Sequence, residues 1–250
     1  MINMEQLVDL VLHAGELLLT SGAEIYRVEE TIERMGRAAG FVQVEGFATP
    51  TGLFISLHAP GGQVYTRVRR TRHSRNNLAA IAAINSLSRE FSEGKVTAHE
   101  VKQQLAALTE SGSPHSLMRQ IVGGGGAMAF TLIFGGGWLE AIFAGLIGAA
   151  VLTVVALLQR YPVPKVLQAA VGGMAASAMA LGLANVFPIH PDLTTLGAVM
   201  VMTPGVAMTT AIRDLLSGEL LSGLSRAAEA LVVSVAIATG VAIVISLGGR

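Results

Sequence analysis

The sequence predicts an α-helical integral membrane protein of about five transmembrane helices, preceded by a small α+β cytoplasmic domain. Three observations lead there. Of 250 residues, 52% are hydrophobic and only 14% charged, where a soluble domain carries about 25% charged residues. The charge is also uneven, since residues 1–115 hold 11 of the 17 Lys/Arg and 12 of the 17 Asp/Glu. Beyond residue 116 run five uncharged stretches, each near the roughly 20 residues that cross a hydrocarbon core. The 29 glycines and 12 aromatics suit an interior of closely approaching helices. This composition excludes a disordered chain, a charge-dominated nucleic-acid binder and an ordinary soluble enzyme. With no cysteine, disulfides and thiolate metal sites are excluded as well.

Within the predicted domain 1–115, Leu7, Val8, Val11, Gly15 and Leu18 recur at helical spacing. Ile25, Val28, Ile32, Met35 and Ala39 form a second stripe, with Gly22 between the two and Gly40 after. Glu5, Asp9 and Glu16 interrupt the first stripe, so it is no signal peptide and the domain is expected to stay in the cytoplasm. Strands are predicted at 41–44, 53–57 and 64–68, the last two joined by a turn at Ala59-Pro60-Gly61-Gly62. A helix follows from about Ser74 to Phe91. Thr97-Ala98-His99-Glu100 is a capping box that opens another, and Ser111–Pro114 reads as a linker.

In the predicted membrane domain, 116–250, the stretches run 120–139, 141–159, 166–191, 193–212 and 230–249. Arg119, Arg160, Lys165, Arg213 and Arg226 lie in the loops of one side; the opposite loops, 135–137 and 188–192, hold no Lys or Arg. The positive-inside bias places the amino terminus inside and, with five spans, the carboxyl terminus outside. Gly172, Ala176, Ala180 and Ala184 form a small-residue stripe in the third stretch, where another helix can approach closely.

The densest polar feature is Thr203-Pro204-Gly205 in the fourth stretch, followed by Thr209 and Thr210. Proline removes a backbone donor and glycine weakens the turn beside it. Irregular backbone at membrane depth is tolerated where protein or a water-filled cavity satisfies it. A broken helix can therefore offer backbone groups and hydroxyls to a small polar solute, although a kink repaired by neighbouring helices fits the same residues. Arg213 and Asp214 precede an amphipathic segment, 215–225, and Arg226 and Glu229 follow it. Arg226 and Glu229 are spaced to pair on one helix face. Asp214 or Glu229 is a candidate proton carrier, or part of an interfacial ion-pair cluster. Glu140 is expected near the outer surface, exposed. Five arginines between Arg67 and Arg75 suit anionic headgroups or solvent, or a binding surface for an anionic solute or a partner loop. No phosphate-binding loop, HExxH or nucleophile elbow occurs, so no cofactor, metal or enzymatic activity is expected, and nucleic acid is not an expected partner.

Gly22-Ala23-Glu24-x-x-Arg27-Val28-Glu29-Glu30 and Thr49-Pro50-Thr51-Gly52 resemble the amino-terminal half of the threonine/serine exporter family. Pro204-Gly205, Ala211-Ile212-Arg213-Asp214-Leu215-Leu216-Ser217-Gly218 and Gly223…Arg226-x-x-Glu229-Ala230 resemble that family's fourth-span signature and its continuation. The resemblance covers nearly the whole chain in order. It implies a bacterial inner-membrane exporter of small metabolites driven by the proton motive force, with threonine and serine as substrates, or succinate in a related two-subunit system. Long members carry a second hydrophobic half, so the expectation here is a separate small integral-membrane subunit as partner, the pair alone or within a larger oligomer. Expected substrate contacts are Thr203, Pro204, Gly205, Thr209 and Thr210. Expected coupling or gating groups are Arg213, Asp214, Arg226 and Glu229. The other class is a membrane-anchored sensor or enzyme working through 1–115, with Glu24, Arg27, Glu29, Thr49, Pro50, Thr51 and Gly52 as its site. Those residues equally suit a structural core edge or a gate over a channel mouth.

Overall fold

The computed structural model describes residues 3–71, 76–110 and 116–248. The chain divides into two compact units: Met1–Gly112 with Val206–Ala227, and Ser113–Gly205 with Ala228–Arg250. The first unit thus takes in a segment, 206–227, that composition alone groups with the membrane part.

In the first unit, α1 (Met4–Thr20) opens on a reciprocal capping box: the Asn3 side chain accepts the Gln6 N–H and the Gln6 side chain accepts the Asn3 N–H. It ends before Gly22, whose φ of +84° turns the chain into α2 (Ile25–Ala38). Of the predicted stripe, Ile25, Val28, Ile32 and Met35 are buried, and Ala39, at the helix end, is half-buried. Strands β1 (Gln43–Thr49), β2 (Gly52–His58) and β3 (Val64–Arg70) form an antiparallel sheet in sequence order. Strand β1 runs later than the predicted 41–44, because Gly46, Phe47 and Ala48 continue the ladder opposite Ile55, Phe54 and Leu53. Gly46 and Ala48 carry little strand propensity, so packing and pairing decide the matter. A Cβ on Gly36 would fall 2.7 Å from the Val44 side chain, which explains how closely α2 lies on β1.

Helix α3 (Leu78–Ser92) starts at Asn77, whose side chain accepts the Ala80 N–H. The predicted start at Ser74 and the predicted linker at 111–114 lie outside the described residues. Helix α4 (Ala98–Glu110) has the predicted capping box between Thr97 and Glu100. Leu12, Leu18, Leu53, Leu57, Ile84 and Leu105 fill the core of this unit.

The second unit contains α5 (Ser116–Ile133), α6 (Trp138–Leu158), α7 (Lys165–Ala184), α8 (Pro191–Met200) and most of α10 (Leu220–Gly248). Helix α9 (Gly205–Leu216) belongs almost wholly to the first unit. Helices α6, α7 and α10 are long and apolar enough to cross a membrane, and the bent pair α8–α9 makes a fourth if it is one span. The sequence expectation of five rests on α5, which is apolar but shorter than the others. It stops at Ile133 because the chain turns at Gly135, with φ +89°. The predicted amphipathic segment 215–225 is not continuous: Gly218, with φ +93°, separates α9 from α10. Small residues set the helix separations here. A Cβ on Gly173 would lie 2.5 Å from the Ile237 carbonyl oxygen of α10, and one on Gly124 would lie 2.8 Å from the Gly145 carbonyl oxygen of α6. Gly172, Ala176 and Ala180 of the predicted stripe are buried.

Candidate functional site

Helix α2 begins without a side-chain cap of its own, since Glu24 at the N-cap position makes no such bond. The cap comes from far down the chain. Asp214 on α9, fully buried, accepts the Ile25 N–H on Oδ1 at 3.1 Å. A carboxylate there meets both an unsatisfied donor and the positive end of the helix. Arg226 on α10 places Nε 3.1 Å from the Asp214 Oδ2. The two atoms are not aligned as a hydrogen bond, so the contact is an ion pair, while Nη2 of the same arginine donates to the Ala23 carbonyl at 2.8 Å. Arg213 donates to Glu24 Oε1 at 2.8 Å, and Arg27 pairs with Glu24 Oε2 at 3.1 Å. Gly223 makes the turn between α9 and α10 compact enough for this, because a Cβ there would press on Leu215 and the Ala211 carbonyl.

Burial raises the Glu24 carboxyl, but its own backbone N–H, Arg213 and Arg27 outweigh that and hold it below the ordinary range. Glu29 goes the other way. Burial pushes it up, the Ala48 N–H it accepts at 2.8 Å pulls it partly back, and Glu219 adds to the rise. Thr49, Pro50, Thr51 and Gly52 form the tight β1–β2 connection, with the Thr49 hydroxyl on the Gly52 carbonyl at 3.3 Å. The structure therefore brings Glu24 and Arg27 together with Arg213, Asp214 and Arg226, and leaves the Thr49–Gly52 connection as a turn.

One expected pairing and one expected exposure are corrected. Arg226 does not pair with Glu229: buried Asp214 takes the guanidinium, and exposed Glu229 pairs with Lys165 at 2.9 Å. Nor is Glu140 exposed. It is 7% accessible and accepts the His190 N–H at 3.2 Å, because the connection leading into α8 folds over it. The arginine run is also divided by strand alternation. Arg67 and Arg69 reach Glu5 at 4.0 Å and Glu16 at 3.5 Å on α1, whereas Arg70 falls on the opposite face of the strand. Arg72 and Arg75 lie outside the described residues.

At the break after α8, Thr203 donates its hydroxyl and its N–H to the Met200 carbonyl, at 2.7 and 3.3 Å. The helix end is thus largely satisfied by its own turn. Thr203 still faces a groove of about 400 Å³ between α8 and α10, together with Asp192, Thr195, Val199, Ser234 and Ile237. Sequence reasoning missed Asp192, Thr195 and Ser234. Asp192 and Thr195 lie one turn apart on one face of α8, a signal that could have found those two but not Ser234 on α10. In the first unit, the exposed Thr209 donates to the Val206 carbonyl at 2.9 Å, and Thr210 is buried. Among the described residues no group of three or more His, Asp or Glu could hold a metal ion.

Residues 9–248 match the family described as "Putative threonine/serine exporter" (ThrE). The chain is 23% identical over 250 residues to "Probable threonine/serine exporter" of Mycobacterium tuberculosis, an alignment covering 99% of this chain and 47% of that protein. The chain thus spans about half the length of that relative. It is 24% identical over 243 residues to "Probable succinate transporter subunit YjjP" of Escherichia coli, covering 96% of this chain and 94% of the relative. The Klebsiella aerogenes protein of the same name is 23% identical over 235 residues, covering 93% and 90%. No solved structure matches significantly.

Proposed function

We infer the following from the premise that the chain belongs to the threonine/serine exporter family: it is a subunit of a proton-motive-force-driven exporter of small metabolites in the bacterial inner membrane. The observation that carries this reading is the family match across 9–248, which joins both halves of the chain in one ordered pattern. Threonine or serine is the first substrate choice. Succinate is the second, favoured by two relatives aligned over nine-tenths or more of their length. Those relatives are named as subunits, which supports a second membrane subunit as partner. No enzymatic step is required by this reading.

The spans are α5, α6, α7, the broken α8–α9 and α10, with the amino terminus cytoplasmic and the carboxyl terminus outside. The Lys/Arg bias of the loops supports that orientation. The domain division proposed is a cytoplasmic 1–115 and a membrane-spanning 116–250. Substrate passes Thr203, Pro204 and Gly205 at the break, with Thr209 and Thr210 one turn on. Asp214, rather than exposed Glu229, is the coupling carboxylate: protonation would neutralise its pair with Arg226 and weaken its hold on the start of α2. Glu24, Arg27 and Arg213 share that connection. Glu29 and the Thr49–Gly52 turn support it from the sheet.

The test is efflux from proteoliposomes preloaded with labelled threonine, serine or succinate, with and without a proton gradient and with and without a candidate small partner. Gradient-dependent efflux of one solute is expected. No efflux of any of the three by a folded complex would return the function to the 1–115 domain acting as a sensor or enzyme.

A further inference from the structure

A second groove in the membrane-spanning unit, of about 490 Å³, is lined by Arg119, Val122, Gly126 and Phe130 of α5, with Leu152 of α6 and Val201 just past α8. Its volume lies within the roughly 300–1,000 Å³ common for small-molecule sites. Among the described residues the guanidinium of Arg119 is the only charge in its lining. Among the described residues Arg119 makes no ion pair or hydrogen bond, and its Nε is buried without a partner. Its position in the first turn of α5 adds to the oddity, since the positive end of a helix disfavours a cation. A half-buried guanidinium beside apolar walls is costly unless an anion meets it. Gly126 shapes the space: a Cβ there would meet nothing within 4 Å, so the groove is open where a side chain would stand.

We propose that this groove is a carboxylate-binding subsite in which Arg119 holds the carboxylate of the transported solute. The inference rests on the exporter reading above. A carboxylate is what threonine, serine and succinate share, so the subsite serves either substrate choice. The planar guanidinium presents paired donors matched to the two carboxylate oxygens. Val122, Phe130, Leu152 and Val201 take the carbon skeleton. Gly126 leaves the room.

The test uses the full chain in phosphatidylcholine proteoliposomes and follows modification of Arg119 by phenylglyoxal with peptide mass spectrometry. Succinate and threonine are expected to slow modification of Arg119, while threoninol, which lacks the carboxylate, does not. Arg119→Gln should raise the half-saturating solute concentration for efflux by about tenfold or more, the loss of a charge-assisted hydrogen bond. Arg119→Lys should recover part of it. Gly126→Leu, which fills the groove and leaves Arg119 in place, should abolish protection. Modification at one rate with and without every solute would overturn the proposal. So would Arg119 becoming shielded only when phosphatidylglycerol is added, which would make the groove a lipid-headgroup site. Protection without gradient-dependent efflux would sink the exporter reading and leave the subsite standing.

Discussion

Asp214 caps a helix that begins 189 residues before it, its Oδ1 accepting the Ile25 N–H at 3.1 Å. The same carboxylate faces Arg226, whose side chain is 13% exposed. Removing the carboxylate leaves a nearly buried guanidinium without its counter-charge. Asp214→Ala should therefore destabilise the chain by about 3–5 kcal/mol, the usual cost of breaking a buried pair from one side. Asp214→Asn keeps an oxygen for Ile25 and should cost less. Pairing Asp214→Asn with Arg226→Met should recover stability relative to Asp214→Asn alone. Denaturant unfolding in detergent measures all three. If the alanine variant unfolds at the wild-type midpoint, the cap does not hold α2.

Asp214 also separates a folding role from a transport role. If its protonation couples the gradient to export, Asp214→Asn should lose gradient-driven efflux at least about tenfold while the protein stays folded at working temperature. Wild-type efflux by that variant would remove the carboxylate from the mechanism. Glu229→Gln, which loses only an exposed pair with Lys165, should export normally, because such pairs contribute about 1 kcal/mol or less.

Glu24 and Glu29, five residues apart, should give opposite pH slopes. Glu24 titrates below its ordinary 4.5 in the folded chain. Its contribution is present above 4.5 and is lost as the pH falls through the lowered folded value. Glu29 titrates above its ordinary 4.5. The folded chain binds its proton more tightly, so the cost of its charge is full above the raised value and fades as the pH falls from there to 4.5. On acidification from neutrality, the wild type should gain from Glu29 first and lose from Glu24 afterwards. Glu29→Gln should remove the gain and Glu24→Gln the later loss, each read as a stability difference from wild type across the pH series. Parallel pH curves for wild type and both variants would contradict the assignment.

What the sequence discloses follows from how local each cause is. The Thr97–Glu100 capping box and the Val8 and Val28 stripes are written within one or two turns, and they stand in the structure as read. The shared site of Glu24, Arg213, Asp214 and Arg226 is not written in the sequence, because no local rule says that an aspartate near residue 214 will cap residue 25. Local spacing even misled: the three-residue separation of Arg226 and Glu229 permits a pair, but the buried charge of Asp214 takes the arginine. Local spacing likewise does not show that Glu140 is buried, because it accepts the N–H of His190, 50 residues along the chain. Gly218, between Ser217 and Glu219, sits inside the segment 215–225 that reads as one amphipathic stretch, and its φ of +93° breaks it.

Glycines of the membrane-spanning unit divide into those that hold helices together and those that face open space. Gly173 has the Ile237 carbonyl oxygen 2.5 Å from where its Cβ would stand, a backbone atom that cannot swing away. Gly173→Ala should therefore force α7 from α10 and cost about 1–3 kcal/mol, as overpacking does. Gly125 has nothing within 4 Å. Gly125→Ala should be neutral, or stabilising by up to about 1 kcal/mol through helix propensity. Thermal unfolding in detergent should rank Gly173→Ala below wild type and Gly125→Ala at or above it. The reverse order would mean that α7 and α10 do not meet at Gly173.

The groove between α8 and α10 offers a test that distinguishes the substrate choices. Among the described residues Asp192 is the only charged one in its lining, so it suits the ammonium of an amino acid and repels a dicarboxylate. Asp192→Asn should raise the half-saturating concentration for threonine about tenfold, in the range of one charged hydrogen bond, and leave succinate efflux unchanged or improved. Ser234→Leu fills the same groove. The Ser234 hydroxyl bonds only the Ala230 carbonyl of its own helix at 2.9 Å, so the variant breaks no tertiary hydrogen bond and should slow export of either solute. Concentration-dependent efflux of both solutes from the same vesicles decides the matter. Normal export by Ser234→Leu would place the pathway outside this groove, and an equal loss for both solutes in Asp192→Asn would deny Asp192 a part in choosing between them.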